Sequence, residues 1–342
     1  MQDTAKAGGK PTTFDLIVMD ILIIDPPPPD VIDWLEARHS VRCSPELAQS
    51  PEAFRRGLAD VRALIAPPGV VVDHSALVAA PHLTVVAHTS ATADHIDADS
   101  CARAGVTVVG APNAAAAAEA EFMIGALLQM LRRVPVLDAE GQLVGRELGG
   151  ANVGLIGMTP AMRPLARLLG AFGARVCGYH PSLHASDPLW GRWHIDPLGL
   201  RELVEQSDAV CVMLPYYSRF KGLLGERFLP YCKPNQVLVS VTDSNLFDEQ
   251  SLAEVLNSGR MAAAWFDSVD PAMLEPGRPL TGLSTMQMSP GIARITREAR
   301  IRSAWTVAHR VHEILSAATS QLDFKATVRD VPLDFAADPA PD

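Results

Sequence analysis

The residues best placed to do chemistry lie at 153–173, VGLIGMTPAMRPLARLLGAFG. A short apolar strand, a glycine turn and a helix are how a βαβ unit cradles a pyrophosphate. In the order G-x-G-x-x-G the first glycine makes the tight turn, the second admits close approach of the phosphates and the third lets helix and sheet touch. Here the three positions read Gly157, Thr159 and Met162, with Ala161 between the last two. Thr159 followed by Pro160 predicts a helix start, threonine as N-cap and proline at the first helical position, so a helix N-terminus still faces the phosphate position. Pro160 donates no N–H, however, the Thr159 Cβ crowds the approach, Met162 wedges between helix and sheet, and Pro164 shortens the helix further.

Other titratable groups form no second centre. His88, His95, His180 and His184 show no metal-ligand spacing with a third group, so no metal site is expected. Glu119 and Glu121 are two apart on a helical stretch and point to different faces, which reads as solvated or domain-bridging carboxylates rather than a catalytic pair. Met123, Met130 and Met162 read as core filler.

The elements that must position these groups alternate in type. Branched apolar runs such as FDLIVMDILII, VRALIAP, LTVVAHT and VTVVGAP are separated by amphipathic stretches such as DVIDWLEARH, HSALVAA and ADSCARAG. That is the pattern of an α/β fold with a parallel sheet covered on both faces. Pro26 to Pro29, in DPPPPD, read as a rigid loop after the first strand. Residues 113–133, NAAAAAEAEFMIGALLQMLRR, favour one long buried helix, apolar on much of its circumference. A second series follows, VGLIGM, RVCGYHP, AVCVMLP, QVLVSVT, MAAAWFDSV and TMQMSP, which predicts six strands of a nucleotide-type sheet. A helix over 296–316 carries the chain back, and DVPLDFAADPAPD reads as a frayed tail.

With 342 residues the chain suffices for two domains. The boundaries read as 1–112 with 296–342 for a substrate-type domain and 113–295 for a dinucleotide-binding domain. Five cysteines, Cys43, Cys101, Cys177, Cys211 and Cys232, form no paired spacing and no secretory segment is evident, so reduced thiols in a cytoplasmic protein are expected. No stretch approaches the ~20 apolar residues of a membrane span. A net charge of -10 without a concentrated Lys/Arg stripe argues against nucleic-acid and membrane partners.

The ordered landmarks resemble the D-isomer-specific 2-hydroxyacid dehydrogenase family, which includes phosphoglycerate, glycerate and formate dehydrogenases. They are APHLTVVAHTSATADHID, AGVTVVGAP with Glu121 after it, GLIG with AFGARVCGYHP, SDAVCVMLP, KGLLGERFL, LFDEQSLAEVLNSGRMAAAWFD and SPGIARITREA, spanning roughly 62–312. The resemblance implies two doubly wound Rossmann-like domains, one flavodoxin-like and one binding NAD or NADP, and a homodimer. It also implies where the family's machinery falls. The acid that bonds the adenosine ribose is matched by His180, and the substrate-binding arginine by Asp243. The acid that tunes the catalytic histidine is matched by Asp270, the histidine itself by Gly291, and a common glycine by Arg294. Cofactor contacts fall at Gly157, Thr159, Pro160, Ala161, Met162, His180, Pro215, Val241 and Asp267, the last matching the residue that holds the nicotinamide amide. Ser90, Ala91 and Thr92 fall in the loop whose backbone amides hold a carboxylate.

In the family mechanism a hydride moves between nicotinamide and a 2-oxo acid, while the histidine exchanges the hydroxyl proton and the arginine clamps the carboxylate. Gly291 has nothing to titrate, and Asp243 repels a carboxylate. Arg294 is expected to pair with Asp243 or Asp270, either plugging the vacated cleft or forming a new charged site. Three functions remain open on the sequence. One is a repurposed enzyme, with or without bound dinucleotide, acting on a cationic or non-carboxylate small molecule. The second is a non-catalytic dimer acting through its surface, as the family's corepressors do. The third is a residual 2-hydroxyacid dehydrogenase. Fold analogy does not choose among them.

Overall fold

The computed structural model describes residues 19–90, 93–137 and 139–329. These divide into two compact units, drawn from Met1–Ala111 with Ala304–Asp342 and from Pro112–Ser303.

In the first unit the order is β1 (Met19–Ile23), α1 (Pro29–Glu36), β2 (Val41–Cys43), α2 (Pro51–Gly57), β3 (Val61–Ala66), α3 (His74–Val78), β4 (Val85–His88), α4 (Ala98–Arg103) and β5 (Thr107–Val109). The strands form a five-stranded sheet in the order β2-β1-β3-β4-β5, every pair parallel. This is the flavodoxin-like winding. Alternate residues of one strand enter different cores: Leu22 and Leu64 pack with Phe54 and Leu58, whereas Ile21, Ile23, Ala63 and Ile65 pack with Val31 and Leu35. Burial on both faces is why these strands read as unbroken apolar runs. Of the four prolines, Pro29 opens α1 and is not loop; the missing N–H of proline is harmless in a first helical turn.

The second unit begins with α5 (Ala116–Arg133) and an antiparallel hairpin, β6 (Val136–Leu137) with β7 (Leu143–Val144). Then come β8 (Asn152–Ile156), α6 (Met162–Ala171), β9 (Arg175–Tyr179), α7 (Pro188–Arg192), β10 (Asp196–Pro197), α8 (Leu200–Gln206), β11 (Ala209–Val212), β12 (Gln236–Ser240), α9 (Glu249–Asn257), β13 (Met261–Phe266) and β14 (Met286–Met288). The sheet is seven-stranded, β10-β9-β8-β11-β12-β13-β14. The unexpected strand is β10, whose two residues are too short to show a period and include a proline that only an edge tolerates. Strand order reverses between β8 and β11, and the loops after these strands therefore border the crevice where doubly wound sheets take ligands.

Helix α5 buries Ala118, Glu119, Ala120, Met123, Ile124, Ala126, Leu127, Met130 and Leu131, but Glu121, Gly125, Leu128, Gln129 and Arg132 are exposed. It is one-sided rather than buried all round. Helix α10 (Arg297–Arg329) starts in the second unit, where Thr296 Oγ1 accepts from Ala299 N–H at 3.0 Å. It runs on past residue 316, and Ala304, Val307, Ala308, Val311 and Leu315 complete the first unit's core. The expected tail at 330–342 lies outside the described residues. No helix among the described residues is long and apolar enough to cross a membrane.

Candidate active site

The turn after β8 keeps one glycine for a backbone reason. Gly157 has φ 106°, and a Cβ there would lie 2.4 Å from Leu214 N and 2.5 Å from Leu214 Cα. No side chain fits between the ends of β8 and β11. Thr159 does not cap the helix. Helix α6 starts at Met162, its N-cap residue is Ala161, and no side chain bonds the first turn. Instead Met162 N–H closes a turn onto Thr159 O at 3.0 Å, while Thr159 Oγ1 is buried without a hydrogen-bond partner. Pro164 sits in the first turn, where an N–H would be unpaired in any case, so it does not shorten the helix. Met162 does not force helix and sheet apart either: it is fully buried in the core. Gly178 on β9 makes room, since a Cβ there would meet Trp190 Cζ3 at 2.6 Å, Ile195 Cγ2 at 2.7 Å and Met162 Cε at 3.3 Å.

Further along the crevice, His180 follows β9. Burial holds its imidazole below the ordinary 6.5, and its Nδ1 accepts from Ser182 N–H at 3.2 Å. A neutral ring thus stands where the resemblance implies a carboxylate. Pro215 is exposed after β11, and Val241 donates its N–H to Val212 O at 3.0 Å.

Asp243 and Asp270 are brought together by one amide. Asn245 Nδ2 donates to Asp243 Oδ1 at 3.0 Å and to Asp270 Oδ2 at 3.4 Å. Each acid also caps a single 3-10 turn, Asp243 accepting from Asn245 N–H at 2.8 Å and Asp270 from Ala272 N–H at 3.0 Å. Ser244 Oγ accepts from Asp270 N–H at 2.9 Å and ties the two turns together.

Arg294 joins neither acid. Its Nε lies 3.3 Å from Glu119 Oε2; rather than a solvated carboxylate, Glu119 is buried, only 4% exposed. The Nε–H has no hydrogen-bond partner, so the contact is an ion pair by distance without the alignment of a hydrogen bond. Burial pushes the Glu119 carboxyl above its ordinary 4.5, the Arg294 charge pulls it back, and Asp267 adds to the rise. A signal for Glu119 existed: it falls on the helical stripe of Met123, Leu127 and Met130. Its partner lies far away in sequence, and no spacing rule reaches that distance.

Asp267, 5% exposed, is engaged by the loop after β14. It accepts from Ser289 Oγ at 2.7 Å and Ile292 N–H at 2.9 Å on Oδ1, and from Ala293 N–H at 2.8 Å on Oδ2. Gly291 donates its N–H to Asp267 O and has φ 75°. In the other unit, Ser90 Oγ lies 2.9 Å from His88 Nδ1, and burial, reinforced by His95, holds His88 below its ordinary range. Ala91 and Thr92 lie outside the described residues.

Comparison with known proteins bears on the family and the fold. The model of the D-isomer specific 2-hydroxyacid dehydrogenase NAD binding domain matches residues 124–293. The D-3-phosphoglycerate dehydrogenase of Mycobacterium bovis is 30% identical over 264 residues, 74% of this chain and 49% of that protein, so the chain spans about half the length of that relative. The glyoxylate reductase of Thermofilum pendens is 28% identical over 285 residues, 78% of this chain and 82% of that protein. The solved structure of D-2-hydroxyisocaproate dehydrogenase has a TM-score of 0.71 at 20% identity, covering 87% of this chain and 97% of that one, and bears on the fold alone. The chain belongs to the D-isomer specific 2-hydroxyacid dehydrogenase family, and its second unit has that family's NAD-binding fold.

The turn departs from the glycine pattern that the resemblance implies: Thr159 and Met162 stand at two of the three glycine positions, and Pro160 and Pro164 carry no N–H. The Asp267 carboxylate has three donors from the loop after β14.

Proposed function

We propose that this chain is a family member that no longer interconverts 2-hydroxy and 2-oxo acids and that works as a dimeric binding protein on the family scaffold. One observation carries the reading: the charged groups at the positions of the family's machinery are used by the fold itself. Asp243 and Asp270 cap turns, Asp267 holds the 289–293 loop, Arg294 faces Glu119, and Gly291 offers no group to move a proton. Removal of a general acid alone forfeits roughly 10²- to 10⁴-fold in rate, and a reversed clamp charge weakens substrate binding as well. Any NAD or NADP is held weakly, because the turn lacks the close approach and His180 supplies no carboxylate to the ribose. The dimer is supported by apolar side chains on the β6–β7 hairpin, Leu137 at 67% and Leu143 at 71% exposure, with Leu128 on α5 at 37%. The thiols are unpaired, which fits a reducing, cytoplasmic setting.

The test is an assay with lactate, glycerate, formate and their 2-oxo partners with either nicotinamide cofactor, alongside light scattering at micromolar concentration. We expect no turnover and a dimer. Turnover at an ordinary dehydrogenase rate that is lost in Glu119→Gln or Asp243→Asn sinks the non-catalytic reading, and a monomer sinks the assembly.

A second reading has its own observation. Asp243 and Asp270 share Asn245, and no ion pair among the described residues involves either acid. A repurposed enzyme acting on a cationic small molecule would use such a pair of carboxylates, and oxidation of amines by the NAD- or NADP-supplemented protein would favour it.

A further inference from the structure

The first unit holds a cluster of rings that the candidate active site does not use. His39, in the turn after α1, has its Nε2 2.9 Å from Nδ1 of His312 on α10. The His39 side chain is only 9% exposed. Trp34 of α1 meets the same helix through three rings, its centroid 5.9 Å from Trp305, 4.6 Å from His309 and 5.3 Å from His312. Since α10 also gives Ala304, Val307, Ala308, Val311 and Leu315 to this unit's core, the imidazole pair adds a polar clasp to an apolar seat.

Charged and titratable groups surround the pair on β1, β3, α1 and α10. From β1, Asp20 Oδ2 lies 3.9 Å from His39 Nδ1, but this carboxylate already accepts from Arg62 Nη1 at 2.9 Å and from Ser40 N–H at 3.1 Å. From β3, Arg62 also donates through Nη2 to Leu315 O of α10 at 3.5 Å. Just beyond α1, the Arg38 guanidinium sits 4.2 Å over the Trp34 ring. On α10, Ser316 Oγ lies 3.4 Å from His312 Nδ1, and the neighbouring Arg310 and Glu313 pair with each other at 2.7 Å. Burial holds the His39 imidazole below its ordinary 6.5; Asp20 pulls it up, while His312, Arg62 and Arg38 push it down. A hydrogen bond between two imidazoles needs one N–H and one lone pair, which the pair has with no added proton or with one. With two added protons both facing nitrogens carry hydrogen, and two cations meet at 2.9 Å.

We propose that the His39–His312 contact is a proton-operated latch on α10, closed while the pair holds at most one added proton and open once both rings are protonated, so that α10 loosens from the α1 turn in mild acid. The latch stands whether or not the second unit binds or turns over anything. Its sign follows from the two states. The open pair titrates near the ordinary 6.5, whereas the closed pair excludes the second proton, so the latch holds fully above that value and yields as pH falls below it. Each pH unit below 6.5 favours opening about tenfold. Hydrogen exchange of the full chain at pH 7.5 and 5.5, corrected for the intrinsic exchange rate, tests this at the amides of 309–316. Their protection should fall about tenfold at pH 5.5, with no change at β11 and β12. His39→Gln, whose amide can donate to or accept from His312 in either protonation state, should abolish the pH dependence, and His309→Gln should keep it. Equal protection at the two pH values in the parent would overturn the proposal, and so would a loss that persists in His39→Gln. Should that variant not fold, nitrogen-15 NMR of the parent imidazoles decides: two well-separated protonation steps are expected for the pair, and both rings charging together near 6.5 would overturn it.

Discussion

Two turns of the second unit, 157–162 after β8 and 289–294 after β14, both hold residues other than those the family resemblance implies, and they absorb the difference in different ways. At the first, the change is taken up by packing. Met162 enters the core beside Gly178, while Gly157 stays because Leu214 leaves no space for a Cβ. At the second, the change is taken up by charge: the loop donates to Asp267, which follows β13, and Arg294 turns to a buried Glu119. The contrast separates two kinds of constraint. Glycines that the backbone requires are present in both turns, Gly157 at φ 106° and Gly291 at φ 75°, whereas Thr159, where the resemblance implies a glycine, holds a residue whose hydroxyl is buried and unpaired.

The largest effect should come from the position that backbone geometry fixes. Gly157→Ala places a methyl group against Leu214 N at φ 106°, where neither atom is the end of a flexible side chain. We expect a loss of about 4 kcal/mol or more in urea denaturation, from the combination of strain and overlap. A loss below about 1 kcal/mol would mean that the turn yields, and the distinction between backbone-fixed and ligand-fixed glycines would fall.

Next comes the charged turn. Removing one member of a buried pair costs about 3–5 kcal/mol, but the Arg294 side chain is 38% exposed, so water replaces part of what is lost. Arg294→Ala should destabilise by about 2–3 kcal/mol at pH 7. The sign with pH follows from Glu119, whose carboxyl is raised in the folded state above its ordinary 4.5. The stability associated with the protonated form is fully present below that ordinary value and is lost as pH rises through the folded one. Without Arg294 the folded value rises further, so the penalty should be small near pH 4.5 and grow toward neutrality. Melting temperatures of the two proteins across pH 4–8 check this. A penalty independent of pH would break the link between Arg294 and Glu119. Glu119→Gln with Arg294→Met should be close to neutral.

These tests bear on what the sequence made legible. The strand–helix alternation was readable because strands buried on both faces must be apolar throughout, whereas β2, β10 and the β6–β7 hairpin were too short to show a period. The identities at 243, 270, 291 and 294 were readable too, since ordered landmarks flank each. Pairings were not. Asp243 and Asp270 meet through Asn245, whose amide reach depends on how two 3-10 turns approach, and Arg294 meets a glutamate on a different element. Periodicity gives the face on which a side chain lies and says nothing about what faces it.

A smaller effect sharpens the packing side of the comparison. Gly178→Ala puts a Cβ 2.6 Å from Trp190 Cζ3 and 2.7 Å from Ile195 Cγ2. These are side-chain atoms that can shift by a fraction of an ångström, unlike the backbone that faces Gly157. We expect about 1–2 kcal/mol of destabilisation from overpacking. Met162→Ala made in the same background should couple with it, because Met162 Cε is the third neighbour at 3.3 Å. Strictly additive losses in a double-mutant cycle would show that Gly178 does not make room for Met162.

The smallest effect belongs to Thr159, and its size separates two roles for one hydroxyl. Were Thr159 the N-cap of α6, Thr159→Ala would cost about 1 kcal/mol. The helix is capped at Ala161 without any side-chain bond, and Thr159 Oγ1 is buried and unpaired. Deleting an unsatisfied hydroxyl recovers part of its desolvation, of order 1–3 kcal/mol, while deleting the methyl group loses about 0.8 kcal/mol of apolar burial. The two opposing terms leave Thr159→Ala within about 0.5 kcal/mol of its parent, on the stabilising side. Chemical denaturation without ligand reads this directly. A loss of about 1 kcal/mol would assign the hydroxyl a partner in the free protein and restore the capping role.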